Sequence, residues 1–112
     1  EYDNPGNVKV LRPIAWCYLV TGRFDDAAKY FDRLAGSDLT SHDLVNMGHL
    51  ALCQGNPKKA ADMYIEAVEK GKLSTETFAA MMNDDSQILV TNGVNPDDLP
   101  IVVDYVLMNT SN

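Results

Sequence analysis

Two histidines and two cysteines are the side chains best suited to bind metals, and three of these four share one predicted helical stripe. His42, His49 and Cys53 follow one another at spacings of seven and four residues. A helix rises about 1.5 Å per residue, so the two histidines lie roughly 10 Å apart along its axis and cannot share an ion. Only His49 and Cys53 are close enough, and the pattern therefore favours ordinary packing or surface roles over a metal site.

Acid-base chemistry has equally little support. Outside the predicted second helix, the paired carboxylates are Asp84-Asp85 and Asp97-Asp98, and each pair consists of chain neighbours. General acid-base catalysis needs carboxylates that face each other in environments that separate their pKa values. The sequence also lacks a glycine-rich phosphate loop, a nucleophile elbow and a His-Glu-x-x-His motif. We therefore predict a protein without catalytic residues, metal ions or cofactors.

The charge of the chain is negative and unevenly distributed. Its 112 residues carry a net charge of −7, and all nine lysines and arginines lie in residues 1–72. Residues 73–112 contain six acidic residues and no basic one. Phosphate binding needs clustered lysine and arginine, so a nucleic acid is not an expected partner. The acidic segment favours solvation of the surface, and a basic partner is the alternative.

Membrane insertion and disulfide bonds are not expected either. The apolar run from Ile101 to Met108 is interrupted by Asp104 and is far shorter than the ~18 residues that a membrane helix needs. Cys17 and Cys53 lie in apolar helical patterns, where cysteine behaves as a small hydrophobic residue. A reducing, cytoplasmic location fits this best. The chain begins without a methionine, so we expect it to be part of a longer protein.

Helices are the elements that must position these side chains. Apolar residues recur at helical spacing in six segments, each ended by glycine, proline or capping residues. The first helix is predicted to begin near Leu11, which places Pro13 in its first turn, or else to be kinked at Pro13. The last is predicted from Leu99 to about Met108, with Asp97 as its cap. Linkers of two to five residues predict three antiparallel hairpins.

The first two predicted hairpins repeat one pattern at an offset of thirty-three residues. Small residues recur where the two helices of a hairpin must approach closely, an aromatic residue recurs where a gap must be filled toward the next hairpin, and a glycine recurs at the reversal. The matched pairs are Ala15 and Gly48, Gly22 and Gly55, Ala27 and Ala60, and Phe31 and Tyr64.

This pattern resembles the tetratricopeptide repeat over residues 8–72, although Leu34 stands where the family has a small residue and no closing proline is present. The stretches around R12-P-I-A-W-C-Y, N46-M-G-H-L-A-L-C and D98-L-P-I-V-V-D-Y look like the C-terminal part of tetratricopeptide proteins common in Bacteroidetes. The resemblance implies a single all-α domain over residues 1–112, built as a right-handed superhelix of antiparallel hairpins. Residues 8–40 and 41–73 would be repeats, and residues 74–110 a divergent capping hairpin.

The resemblance also implies a non-catalytic scaffold that binds a peptide or helix of a partner protein in a concave groove. Arg12 would supply charge and Trp16 desolvated area, since both residue types are enriched at binding hot spots. By position, the groove residues are Arg12, Trp16, Val20, Val45, Asn46 and His49.

Two alternatives remain open at this stage. In the first, the chain only closes a longer array, and Trp16 packs on a preceding repeat. In the second, the chain associates weakly with itself and forms a homodimer through its exposed N-terminal face. The apolar residues of the last hairpin, including Met82 and Met108, are expected to pack in the core, and a surface for self-association is the alternative reading.

Overall fold

Regular structure in the described part of the chain is entirely helical, which confirms the all-α prediction there. The computed structural model describes residues 8–36 and 39–110, without the side chains of residues 8 and 9. The rest of the predicted domain, residues 1–7, 37–38 and 111–112, lies outside the description. Six helices follow one another: α1 (Val8–Val20), α2 (Phe24–Leu34), α3 (Ser41–Cys53), α4 (Pro57–Glu69), α5 (Thr75–Thr91) and α6 (Asp98–Met108).

Capping side chains fix three of the helix starts. Thr40 and Asp43 form a reciprocal capping box at the start of α3, in which each side chain accepts a hydrogen bond from the backbone of the other. Asn56 caps α4 just before Pro57, and Ser74 caps α5 by accepting from the N–H of Thr77 at 3.1 Å. These contacts satisfy backbone donors that have no partner within the helix.

Two helix starts differ from the sequence prediction. Helix α1 begins at Val8, three residues before the predicted start, so Pro13 lies inside the helix. Of the two alternatives for Pro13, the first-turn position is therefore wrong, and the proline lies inside the helix, where it cannot donate to the carbonyl four residues earlier. At α6, Asp97 precedes the helix but makes no capping bond through its side chain. Asn95 instead accepts from the N–H of Asp97 at 2.9 Å.

Glycines with positive φ close all three hairpins. Gly22 and Gly55 adopt φ values of 81° and 80° at the equivalent turns of the first two hairpins, and Gly93 adopts 100° in the third. This region of φ is open to glycine and costly for most other residues. The expectation that glycine permits the reversal is therefore confirmed at both repeated positions.

The chain forms two compact units, which divide between Leu39 and Thr40. The first contains α1 and α2, which pack against each other. Ala15 of α1 and Ala27 of α2 are both fully buried, as their small size predicts. Leu11 and Leu19, one turn on either side of Ala15, are each only 1% exposed and extend the buried stripe of α1.

The second unit contains α3 to α6, and the ring of Tyr64 lies at its centre. Tyr64 on α4 is fully buried, and its ring occupies the place where a side chain on Gly48 of α3 would point. The Tyr64 ring also lies 5.3 Å from that of Phe78 on α5, measured between centroids. An aromatic residue that reaches from one hairpin to the next was expected at this position, and it is found there.

The third hairpin buries one side of each of its helices. Helix α6 packs against both α4 and α5, and the residues that it buries are Leu99, Val102 and Val106. Met82 of α5 is also buried, as predicted. Met108 differs, because it is 84% exposed at the end of α6. The last hairpin therefore supplies core residues and exposed apolar surface at the same time.

We predict that Gly48→Ala destabilises the protein, although alanine ordinarily favours a helix over glycine by about 0.5–1 kcal/mol. The added methyl group would overlap the ring of Tyr64, which is fully buried and packs against the rings of His49 and Phe78. The expected cost is about 1–3 kcal/mol in the free energy of unfolding, measured with urea. In a Tyr64→Leu background, the same change should cost much less. A Gly48→Ala protein as stable as the wild type would contradict this packing.

Candidate functional site

The α1 part of the predicted site forms one stripe on the first unit. Arg12, Trp16 and Val20 recur every four residues along α1, and all three are half-buried. They lie beside the fully buried stripe that contains Ala15. Trp16 is the only tryptophan of the chain, and a large aromatic side chain is thus left partly accessible on a helix whose adjacent face already meets α2.

The α3 part of the predicted site belongs to the second unit and is mostly inaccessible. Asn46 is half-buried, but Val45 is 0% exposed and His49 only 1%. The expectation that Val45 and His49 face a groove is therefore wrong for the structure described, because neither side chain can reach a partner without local opening. A repeat pattern gives the positions of Val45 and His49 on α3 but not their burial, which depends on the residues that pack against them.

His49 instead joins three helices through hydrogen bonds. Its Nδ1 atom lies 2.7 Å from the hydroxyl of Tyr64 on α4, and its Nε2 atom lies 2.9 Å from Oδ2 of Asp85 on α5. The His49 and Tyr64 rings also meet edge to face, with centroids 5.6 Å apart. The tyrosine and the histidine are buried, whereas the side chain of Asp85 is 24% exposed. We call these three residues the Tyr-His-Asp chain.

The donors and acceptors of the Tyr-His-Asp chain match one arrangement of hydrogen atoms. Burial raises the pKa of Tyr64 well above its usual value, with smaller contributions from Cys53 and Asp85, so its hydroxyl keeps its proton at neutral pH and can donate. When His49 accepts at Nδ1 from Tyr64 and donates from Nε2 to Asp85, each polar hydrogen of the three side chains has an acceptor. Within the described residues, no buried side-chain nitrogen or oxygen lacks a partner.

This geometry fits a structural bridge better than a catalytic group. A general base must come within hydrogen-bond reach of a substrate, and both nitrogens of His49 are already occupied beneath the surface. His42 is exposed and belongs to no metal-binding group, since the described residues contain no cluster of three His, Cys, Asp or Glu suited to a metal. Burial raises the pKa of Cys53 to about 11, which keeps this thiol protonated and unreactive at neutral pH.

The sequence contained a signal for the bridge that pattern matching missed. A buried tyrosine hydroxyl needs a hydrogen-bond partner. Gly48 marks the place where the ring of Tyr64 meets α3, and the residue that follows this glycine is a histidine. Pairing the two would have placed His49 in the core. Asp85 could not be found in this way, because its contact depends on where α5 packs.

A second feature that sequence reasoning missed is a stack of side chains across α1 and α2. The guanidinium of Arg23 lies 4.7 Å from the centroid of the Tyr18 ring, and that of Arg33 lies 4.9 Å from Tyr30. The two tyrosine rings are 5.5 Å apart. Arg23 also contacts Asp26 at 2.6 Å, so its charge is largely compensated within the stack. These contacts tie the hairpin together on its surface.

Uncovered apolar surface is concentrated on α6. Ile101, Tyr105 and Met108 are 65%, 51% and 84% exposed, and their spacing of four and three residues places them on one stripe. We call this the α6 stripe. It borders a cavity of about 310 Å³ whose lining includes Lys58 and Ala61 of α4. A larger cleft opens between α5 and α6.

Comparison of the chain with models of protein families, with curated proteins and with solved structures finds no match. Among the described helices, none has both the length and the apolar character needed to cross a membrane.

We predict that Tyr64→Phe lowers the free energy of unfolding by about 1–2 kcal/mol near pH 7, because it leaves the buried Nδ1 atom of His49 without a donor. Above pH 10, unfolded Tyr64 ionises while the folded form does not, so the stabilisation is lost as the pH rises. The difference between wild type and variant should therefore shrink. Urea unfolding at about pH 7 and about pH 11 measures both effects.

Tyr105→Phe is the matched control, because this ring is 51% exposed and takes no part in the Tyr-His-Asp chain. It should change stability little at neutral pH. Equal losses in the two variants would show that the buried hydrogen bond contributes nothing specific.

Proposed function

We propose that this protein is a non-catalytic interaction module, built as a right-handed solenoid of tetratricopeptide-like hairpins, that binds a peptide or helix of a partner protein. The observation that carries the proposal is the accessible position of Trp16. It lies between Arg12 and Val20 on α1, next to the fully buried stripe of this helix, which packs against α2. A large aromatic ring beside a positive charge is a common arrangement at protein-binding hot spots.

The composition of this stripe defines what it can bind. Val20 and the ring of Trp16 offer apolar contact, while Arg12 offers a charged donor that pairs well with carboxylates. An acidic or amphipathic segment fits this combination. Asn46 remains a predicted contributor, since this residue is only half-buried. Val45 and His49 are left out of the proposed contact surface because they are buried.

A second candidate function is self-association through the α6 stripe. Single exposed apolar residues are common on protein surfaces. Three large apolar side chains along one line form a contiguous patch, which is less common and often marks an interaction site. Lys58 lies beside the stripe in the adjoining cavity, so this surface carries a positive charge as well as the negative charge of neighbouring Asp104. Like-charge repulsion therefore does not oppose the approach of a second copy here.

The first proposal is tested by selecting helical peptides from a display library against the whole chain and measuring their dissociation constants. The fluorescence of Trp16 reports contact directly, because no other tryptophan is present. The double variant Arg12→Ala/Trp16→Ala should bind the selected peptides at least about tenfold more weakly, since it removes two hot-spot side chains. Lys29→Ala is the control, as Lys29 is an exposed cation elsewhere on the first unit.

The circular dichroism of all variants should match that of the wild type. Unchanged affinity in the double variant would place the binding surface elsewhere, as would peptides that bind without altering the emission of Trp16. If Lys29→Ala weakened peptide binding by the same factor, the effect of the double variant would reflect only the overall charge of the protein.

The second candidate predicts a mass that rises with protein concentration in sedimentation equilibrium. Replacing Ile101 and Met108 with lysine should keep the protein monomeric, because both side chains are exposed and lie in the α6 stripe. Lysine at exposed Ala80 of α5, outside this stripe, is the control and should leave the association unchanged. A wild type that remains monomeric at high concentration would eliminate this candidate.

A further inference from the structure

A cleft of the second unit opens between α5 and α6. Its volume is about 640 Å³, and it is open to solvent along one side. Its apolar walls are formed by Met82 and Val90 of α5 and by Leu99 and Val103 of α6, with Asn83 and Asp104 at the edges. We call this space the α5-α6 cleft.

The length of the cleft matches a short helix. The residues that α5 contributes run from Ala79 to Val90, which spans roughly 16 Å along the helix axis at 1.5 Å per residue. Apolar anchors at positions i, i+3 or i+4, and i+7 of a bound helix cover roughly 10 Å, so two turns of a partner fit between these ends. Helix-in-groove recognition uses an apolar channel of this kind.

The charge around the cleft has a single sign. Asp104 is the charged residue that lines it, and Glu76 is exposed one turn before Ala79 on the same side of α5. Residues 73–112, which include both helices of the cleft, contain six acidic residues and no lysine, arginine or histidine. The polar side chains that α5 contributes to the lining of the cleft are neutral: Ser86 donates to the carbonyl of Asn83 at 2.8 Å, and Asn83 and Gln87 are amides.

We propose that the α5-α6 cleft is a second docking surface, and that its partner is an amphipathic helix with lysine or arginine beside its apolar face. The apolar face fills the space between Met82 and Val103, and a basic side chain pairs with Asp104. A symmetric dimer through the cleft is disfavoured, because it would bring the acidic hairpins of two copies against each other. The acidic surface also attracts a basic partner before contact.

This proposal does not depend on Arg12, Trp16 and Val20 of α1. The cleft lies in the second unit, whereas Arg12 and Trp16 lie in the first, so variants at either surface can be read separately. A partner that binds the cleft should bind the double variant Arg12→Ala/Trp16→Ala as tightly as it binds the wild type.

The test uses two fluorescently labelled synthetic helices of about eighteen residues with the same leucine pattern. One carries lysine at its polar positions and the other carries glutamate. Fluorescence anisotropy with the whole chain should give binding of the lysine helix alone, and this binding should weaken as salt is raised. Resonances of the α5-α6 cleft, above all those of Val90 and Val103, should shift in heteronuclear NMR spectra of the complex.

Two variants test the walls and the charge of the cleft. Asp104→Lys should raise the dissociation constant of the lysine helix about tenfold, since attraction becomes repulsion. Val90→Gln, at a residue 36% exposed on the cleft wall, should raise it severalfold without disturbing the core. Glu69→Lys makes the same change of net charge at an exposed position of α4 and should have little effect.

Several results would overturn the proposal. If the lysine and glutamate helices bound equally well, charge would have no role in recognition. If Glu69→Lys and Asp104→Lys weakened binding of the lysine helix equally, the effect would come from the net charge of the protein and not from the cleft. Shifts confined to the α6 stripe would place the helix elsewhere. Dimerisation of the wild type that is abolished by Val90→Gln would identify a second copy as the occupant.

Discussion

The close contact between Gly48 and Tyr64 is the constraint on which the second unit depends. Only a residue without a side chain lets the ring of Tyr64 lie directly against α3. Because the ring occupies this place, its hydroxyl reaches His49 and its far side reaches Phe78 of the next hairpin. One side chain therefore sets the approach of α3 to α4 and gives α5 a surface to pack on.

This constraint also determines which surfaces are left for recognition. The hydrogen bonds of His49 hold part of α3 inward, and a residue that could have met a partner becomes part of the core. The polar groups that it buries are satisfied, as stability requires. Accessible apolar surface then remains on α1 at Trp16 and on the third hairpin. His49 is thus part of the core, and the large side chains that remain accessible on these surfaces are aromatic and aliphatic.

Local signals in the sequence predicted most of the helix ends and turns. The capping residues before α3, α4 and α5 act through neighbours three residues away, and the glycines at positions 22 and 55 act within their own turns. For α1 the sequence left two positions of Pro13 open, and the structure has the proline inside the helix, which a helix can tolerate when packing favours it. The burial of Val45 and the contact of Asp85 with His49 were missed for a different reason, since both depend on residues distant in the chain.

The spacing of the Tyr-His-Asp chain along the sequence has a consequence for how the protein is made. The bond between His49 and Asp85 joins residues 36 positions apart, whereas the contacts between α1 and α2 are local. Local contacts form quickly, and distant ones must wait for a long loop to close. During synthesis the first hairpin can fold as soon as it emerges, but the imidazole of His49 has no carboxylate partner until the ribosome has released α5. The second unit can consequently complete this hydrogen bond only after α5 has left the ribosome.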